Sequence, residues 1–133
     1  YNQKVMEKRF FTVAEVRELL PTLKKLVAKV IETTEQLEQQ REVVQKFAET
    51  SANDSGGPEG AIYLAGLALM RNCLGQIQET GCIVKSLEDG LIDFSHLKDG
   101  REVYLCWKYG EEDILYWHEV EEGFQGRMPL LEE

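Results

Sequence analysis

The feature that most constrains the fold is a row of residues spaced alternately by four and three along the first 50 positions. Side chains at this spacing lie on one face of an α-helix. The row predicts a helix from Thr12 to Glu49 with a coiled-coil-like seam: Val16, Leu20, Leu23, Val27, Val30, Thr34, Leu37, Arg41, Val44 and Ala48. Thr12 and Glu15 can form a capping box at its start. Pro21 predicts a kink or a break one turn in.

A second helix is predicted from Pro58 to Thr80, after a loop at residues 50–57 that is flexible by composition. Gly81 can end this helix in the left-handed conformation. Its seam consists of Tyr63, Leu67, Met70, Leu74 and Ile77. Only one charged residue, Arg71, lies between residues 60 and 78. We therefore expect this helix to be buried on more than one side.

The two predicted helices differ in length, at about 57 Å and about 33 Å for the usual rise per residue. An antiparallel hairpin then leaves the first half of helix one without a helical neighbour. That half holds the most apolar residues of the helix: Val16, Leu19, Leu20, Leu23, Leu26 and Val27. We expect the rest of the chain to fold over this stripe. A homodimer through the first helix is predicted as well, because a second copy can share the covering of so large an apolar patch.

Residues 82–129 predict short antiparallel strands separated by glycine-containing turns. The predicted strands are Cys82–Lys85, Leu91–Phe94, Val103–Tyr109 and Ile114–His118. The chain is thus predicted to be a single α+β domain of 133 residues. Its fold is a long antiparallel helical hairpin, coiled-coil-like at residues 12–80, followed by a small antiparallel β-sheet packed on it.

The length of the loop between the last two strands decides which side chains can meet. An even loop places Cys106 opposite Trp117, whereas an odd loop places Cys106 and His118 on one face of the sheet. Only the odd loop offers a Cys-His pair of the kind that nucleophilic catalysis uses. The even loop is slightly favoured, which counts against that chemistry.

The net charge of −9 arises entirely from residues 87–133, which hold thirteen acidic and four basic side chains. Such a surface repels phosphate backbones and anionic lipid heads, so neither nucleic acid nor a membrane is a predicted partner. The longest apolar run, Ala61–Met70, is about half of what a membrane span needs. No secretory leader is expected. Three cysteines without a CxxC pair fit a reducing compartment, so a cytoplasmic location is predicted.

Chemically capable side chains are concentrated in the same late segment. The candidate functional residues are Asp93, Cys106, Trp107, Glu111, Trp117, His118, Glu119 and Arg127. His118 is the best group for acid–base work near neutral pH. Arg127 is expected to pair with one of three acids, Asp93, Glu111 or Glu119, or else to face a carboxylate or phosphate ligand. The aromatic candidates are expected to belong to the core between the sheet and the helices.

A metal site could be drawn from His118, Glu119, Asp93 and Cys106. No pair of these residues has a recognised ligand spacing, so no metal and no cofactor is predicted. His96, the other histidine, is expected to lie exposed in a turn.

Several motifs together resemble one known family. They are F-T-x-x-E-V-x-x-L-L-P from Phe11, G-L-I-D-F from Gly90, G-R-E-V-Y-L-C-W-K-Y-G-E from Gly100 and W-H-E-V-E-E-G-F-x-G-R-x-P from Trp117. The chain from Phe11 to Pro129 is similar to the domain of unknown function 2203 family of small bacterial and archaeal proteins. The resemblance implies an α-plus-β protein and supplies no catalytic role.

The recurring positions of that family fall here on Asp93, Phe94, Cys106, Trp107, Gly110, Glu111, Trp117, His118, Gly123, Gly126 and Arg127. Ser95 departs from the family's D-F-P, which loosens the turn expected before His96.

Two functions from different classes fit these patterns. The first is a non-catalytic, self-associating module that captures a protein partner on leftover helical or aromatic surface. The alternative is a small-ligand-binding or metal-dependent enzyme with a site around His118, Cys106 and Arg127, supported by Asp93 and Glu111. An enzyme needs these side chains to converge in a concave pocket, whereas a scaffold has them dispersed or fully paired.

Overall fold

The computed structural model describes residues 8–50 and 57–131, which form two helices followed by an antiparallel sheet. The elements are α1 (Val13–Thr50), α2 (Gly57–Glu79), β1 (Ile83–Ser86), β2 (Leu91–Lys98), β3 (Arg101–Lys108), β4 (Tyr116–Glu119), a 3-10 turn (Phe124–Gly126) and β5 (Met128–Pro129). The strands are neighbours in the sheet in chain order. The predicted α+β fold is confirmed.

The start of α1 is held by the predicted capping box. The Glu15 amide donates to Thr12 Oγ1 at 3.1 Å, and the Thr12 amide donates to Glu15 Oε1 at 2.8 Å. The helix then continues through Pro21, so the break considered there does not occur. Pro21 is exposed, so its ring lies in solvent, where a missing helical hydrogen bond is best tolerated.

Removing the cap is expected to weaken the fold measurably. Thr12→Ala should lower the free energy of unfolding by about 1 kcal/mol, because the Glu15 amide loses its acceptor. Chemical denaturation measures this. Thr12→Ser keeps a hydroxyl at the same place and should stay within about 0.5 kcal/mol of the parent protein. Equal losses for alanine and serine would contradict a capping role.

The sheet covers the first half of α1, as predicted. Val16, Leu20, Leu23 and Val27 are at most 3% exposed and share one core with Phe94, Leu105 and Trp107 of the sheet. Polar contacts at the edges hold the two layers together: the Phe11 amide donates to the Ser95 carbonyl at 2.7 Å, Arg17 pairs with Asp113 at 3.1 Å, and Lys24 donates to the Glu112 carbonyl. The apolar stripe that motivated a dimer through helix one is therefore covered within one chain, while the homodimer itself stays a prediction.

α2 runs antiparallel to the second half of α1. Thr34 contacts Met70, and Leu37 contacts the backbone at Gly66 so closely that a Cβ there would lie 2.8 Å from it. Gly81 has φ +94° and ends the helix as predicted. The α1 seam differs from the prediction at two described positions. Thr33 is buried in place of Thr34, and Arg41 is exposed.

The prediction that α2 is buried on more than one side is wrong. Cys73 and Ile77 are buried against α1 and the sheet, but four large apolar side chains of α2 are exposed: Ile62, Leu64, Leu67 and Leu69. The reason is that the sheet packs on the other half of α1, so α2 has one helical neighbour. The side chains of Val44 and Ala48, and loop residues 51–56, lie outside the described residues. Neither described helix is long and apolar enough to cross a bilayer.

Candidate functional site

The register between β3 and β4 decides which candidate side chains meet. Cys106 lies opposite Tyr116, and Tyr104 lies opposite His118. Cys106 and His118 therefore share one face, and the slightly favoured even-loop register is wrong. The connection covers residues 109–115, an odd number, because Ile114 is drawn into the core from the loop and β4 begins only at Tyr116.

The same pairing sorts the candidates onto two faces of the sheet. On β2, Asp93 lies opposite Cys106, which places both with His118 on the face away from the helices. Trp107 and Trp117 lie on the other face, in the core shared with α1. The indole N–H of Trp107 donates to the Glu111 carbonyl at 2.9 Å, so this side chain holds the β3–β4 loop. The two tryptophans are thus structural.

Asp93, Cys106 and His118 form a compact buried cluster. One donor atom from each residue, a carboxylate oxygen, Sγ and a ring nitrogen, lies within 4.8 Å of the other two. None of the three is more than 2% exposed. These are three of the four residues from which a metal site could be drawn in the sequence. The spacing of these residues in the sequence is not that of a recognised metal site, but their donor atoms converge in the structure as a set of metal ligands does.

His118 is fixed through both of its ring nitrogens. Nδ1 lies 2.8 Å from the carbonyl oxygen of Glu119, which can only accept, so Nδ1 carries a proton. Nε2 lies 3.0 Å from Asp93 Oδ2. The ring of Tyr104 packs edge-on against the imidazole with its centroid at 5.6 Å. Nε2 is therefore the nitrogen that faces the cluster.

The second carboxylate oxygen of Asp93 is buried without a hydrogen-bond partner. Among the described residues, Asp93 Oδ1 is the one buried side-chain oxygen or nitrogen of which this is true. A buried polar atom left in this state costs about 1–3 kcal/mol. Burial also raises the pKa of Asp93, against the opposing effects of His118, Cys106 and Lys85. Keeping this oxygen buried therefore lowers the stability of the folded chain.

Cys106 does not have the environment of a catalytic nucleophile. Burial and the adjacent Asp93 carboxylate raise the pKa of the Cys106 thiol to about 12, although Arg127 acts in the opposite direction. A nucleophilic cysteine needs a lowered pKa or an adjacent base. The adjacent base, His118, directs its Nε2 to Asp93. The shared face thus does not make a Cys-His catalytic pair.

Arg127 lies beside this cluster and is mostly buried. Its guanidinium pairs with Glu111, one of the three acids considered for it, at 2.9 Å. It also stacks over the rings of Tyr116 and Phe124, each centroid 4.0 Å away. It is close enough to Cys106 to lower the pKa of the thiol. Glu111 and Arg127 therefore form the charged flank of the cluster.

The side chain of the remaining candidate, Glu119, does not take part in the cluster. Its carboxylate pairs with Arg101 at 2.5 Å, and only its carbonyl contacts His118. His96 is not exposed in a turn as expected; it lies in β2, is 9% exposed and has Nδ1 2.6 Å from the Phe11 carbonyl. Sequence reasoning left Tyr104 out of the site, although its alternation with Cys106 on β3 already placed both on one face.

One comparison with known proteins returns a match. No curated protein and no solved structure matches the chain. Residues 9–130 match the family described as uncharacterized conserved protein, DUF2203. This match includes every residue of the cluster and both helices, and so covers far more than half of the chain. The chain therefore belongs to the DUF2203 family of uncharacterized conserved proteins.

Proposed function

We propose that this protein binds one transition-metal ion, with Zn²⁺ as the best fit, through Asp93, Cys106 and His118. The observation that carries the proposal is the convergence of three buried donor atoms within 4.8 Å, with Asp93 Oδ1 left without a partner. A cation bound between the three donors supplies the partner that this carboxylate lacks.

The donor set selects the kind of metal. Carboxylate oxygen, thiolate sulfur and imidazole nitrogen are all ligands of zinc, whereas calcium and magnesium take oxygen ligands. At metal–ligand lengths of about 2.0–2.3 Å, tetrahedral donors lie about 3.2–3.8 Å apart. The three donors lie within 4.8 Å of one another, so they need to move together by about 1 Å at most to reach this spacing. Sulfur and nitrogen donors in one set also favour zinc over the hard cations.

The surroundings of His118 support the same assignment. Metal-ligating histidines almost always donate their second ring N–H to a carbonyl or a carboxylate, which fixes the tautomer and the ring orientation. Here Nδ1–H donates to the Glu119 carbonyl, and Nε2 is directed into the cluster. His118 is thus oriented as a ligand through Nε2.

Three protein ligands leave one position for water or a ligand oxygen, which is the pattern of catalytic rather than structural zinc sites. A metal ion so held polarises a bound oxygen or lowers the pKa of a bound water. Arg127 beside the cluster is paired with Glu111, so an anionic ligand on the metal would have to share its guanidinium with that carboxylate. We therefore favour the metal-dependent alternative over the non-catalytic module for this face of the protein.

An enzyme was expected to have its candidate side chains converge in a concave pocket, and the structure meets the first half of this expectation. Asp93, Cys106, His118, Glu111 and Arg127 come together, as a metal-dependent protein requires. Asp93, Cys106 and His118 are buried, and Glu111 and Arg127 are half-buried, so the five are not the walls of an open pocket. Metal binding needs only the convergence, and this is why it is the function proposed.

Metal content tests the proposal with matched variants. Protein reconstituted with Zn²⁺, freed of excess metal and examined by elemental analysis and native mass spectrometry should hold one ion per chain. Cys106→Ser and His118→Gln should retain less than about a tenth of that content, because loss of a direct ligand costs more affinity than the 10–100-fold of an outer partner.

The chain offers a control for each of these changes. Cys82→Ser and His96→Gln alter a cysteine and a histidine outside the cluster and should keep the full zinc content. A parent protein that holds no zinc after reconstitution would overturn the proposal. So would a Cys106→Ser variant that binds as much zinc as Cys82→Ser.

A further inference from the structure

The cluster is buried although it lies on the outer face of the sheet. Asp93, Cys106 and His118 project away from the helices, yet none of them is more than 2% exposed. A side chain on the outer face of a sheet is buried only when another part of the chain lies over it. Residues 120–127, which follow β4, supply part of this cover.

Arg127 is the residue through which this segment reaches the cluster. Its guanidinium lies between the rings of Tyr116 and Phe124, each centroid 4.0 Å away. Tyr116 lies directly opposite Cys106 in the sheet, so the guanidinium lies over the same face as the thiol. Glu111, in the β3–β4 loop, pairs with Arg127 at 2.9 Å. Arg127 therefore covers Cys106 and is held there by an ion pair and two rings.

The rest of the segment is weakly attached. Residues 120–125 are all exposed. The backbone hydrogen bonds of the segment join residues three apart: Glu122 to Glu119, Gly126 to Gly123 and Arg127 to Phe124. β5, which follows it, pairs with β4 at two positions, whereas β2 and β3 pair at eight. Because local opening occurs where few long-range contacts hold the chain, this segment should open more easily than the sheet.

Another side of the cluster is covered from within the sheet. The Tyr104 ring packs edge-on against His118, and Lys85 Nζ lies 4.8 Å from the centroid of that ring. Tyr104 belongs to β3, the central strand, which is paired on both sides. Its backbone cannot move aside unless the sheet breaks. The C-terminal segment is therefore the part of the cover that can move as a unit.

We propose that residues 120–127 are a lid that must move off the cluster before a metal ion can enter or leave, and that Arg127 holds this lid closed. The role in metal exchange rests on the function proposed above, whereas the opening of the lid does not. An ion with its water shell cannot reach donors that are at most 2% exposed, so opening has to precede binding.

Labelling of Cys106 in the metal-free full chain measures the opening. Iodoacetamide reacts with the thiolate, and mass spectrometry of the peptides reports each cysteine separately. Arg127→Gln should speed the labelling of Cys106 by at least about tenfold, because a hydrogen bond to a charged group is lost from the closed state. Phe124→Ala should speed it by at least about threefold through loss of the cation–π contact.

The direction of the change distinguishes opening from electrostatics. Arg127 lowers the pKa of the Cys106 thiol, so removing its charge without opening the lid would slow the reaction. Phe124 is already 37% exposed, so the fold should survive its replacement.

The chain offers matched controls for both variants. Arg17→Gln breaks an ion pair with Asp113, and Phe10→Ala removes a ring that is 41% exposed. Neither should change the labelling rate of Cys106. Cys73, buried between α2 and α1, should keep its own rate in every variant, which excludes global unfolding as the cause.

The zinc-loaded protein tests the role of the lid in metal exchange. Uptake of Zn²⁺ and its transfer to an excess of EDTA should both be faster in Phe124→Ala, by similar factors. The dissociation constant should stay unchanged, because a lid lies on the path in both directions.

Each result bears on one part of the proposal. Unchanged Cys106 labelling in Arg127→Gln and Phe124→Ala, or acceleration in Tyr104→Ala alone, would overturn the lid. Faster labelling with unchanged zinc transfer would overturn its role in metal exchange. A parent protein that holds no zinc would overturn that role together with the proposed function, while the labelling would still decide whether the lid opens.

Discussion

Trp107→Ala is expected to lower the free energy of unfolding by about 3–5 kcal/mol, the usual range for truncating a fully buried tryptophan. The side chain is inaccessible to solvent and lies between the sheet and α1. It lies opposite Ile92 of the neighbouring strand β2 and packs edge-on against Tyr109. Its N–H also holds the Glu111 carbonyl in the β3–β4 loop, so the variant loses packing and a loop contact together.

Urea denaturation followed by circular dichroism measures this loss. Trp107→Phe keeps much of the apolar volume but leaves the Glu111 carbonyl without its donor, so it should fall between the parent and the alanine variant. Leu115→Ala, in the same loop but 44% exposed, should change stability by less than about 0.5 kcal/mol. A loss below 1 kcal/mol for Trp107→Ala would show that Trp107 does not organise this core.

Zinc is expected to stabilise the folded protein by about 2.7 kcal/mol when its free concentration is 100 times the dissociation constant. In the proposed site the ion binds the assembled cluster of Asp93, Cys106 and His118, which the unfolded chain does not present. Asp93→Asn should remove this increment, because a neutral amide is a poor ligand for a dication.

Without metal, the same substitution has a different expected effect. The raised pKa of Asp93 shows that the fold disfavours its charged form, so removal of the charge should leave stability nearly unchanged or slightly higher. Thermal denaturation with and without Zn²⁺ separates the two effects. Asp113→Asn, which alters an exposed acid paired with Arg17, should keep the full zinc increment. An increment that survives in Asp93→Asn would exclude this carboxylate as a ligand.

The residues of the site could be predicted from the sequence, but their positions relative to one another could not. Asp93, Cys106 and His118 stand out because of their residue types and their strand context. Side chains on a strand alternate between faces, so one residue more or less in the β3–β4 loop moves His118 to the other side. Ile114 decided that length by packing into the core, and a contact of this kind depends on the assembled fold.

The helices could be predicted well because their signals are local. The Thr12–Glu15 box, the apolar seam of α1 and the glycine at position 81 each act within a few residues of themselves. The burial of α2 could not be predicted in the same way. The apolar composition of α2 favours burial, but it does not indicate which surface covers the helix. The sheet occupies the first half of α1, and this placement leaves Leu64 and Ile62 exposed.

By itself, the sequence determined the two helices, four of the five strands, their order, the capping of α1 and the residue types available for chemistry, because short-range spacing and backbone preference set these. The tertiary structure alone decided that three distant donors share one buried point, and that the apolar face left over belongs to α2 rather than to α1. The physical reason is that donor convergence and surface coverage are properties of long-range packing, in which strands 25 residues apart, such as those of Asp93 and His118, become neighbours.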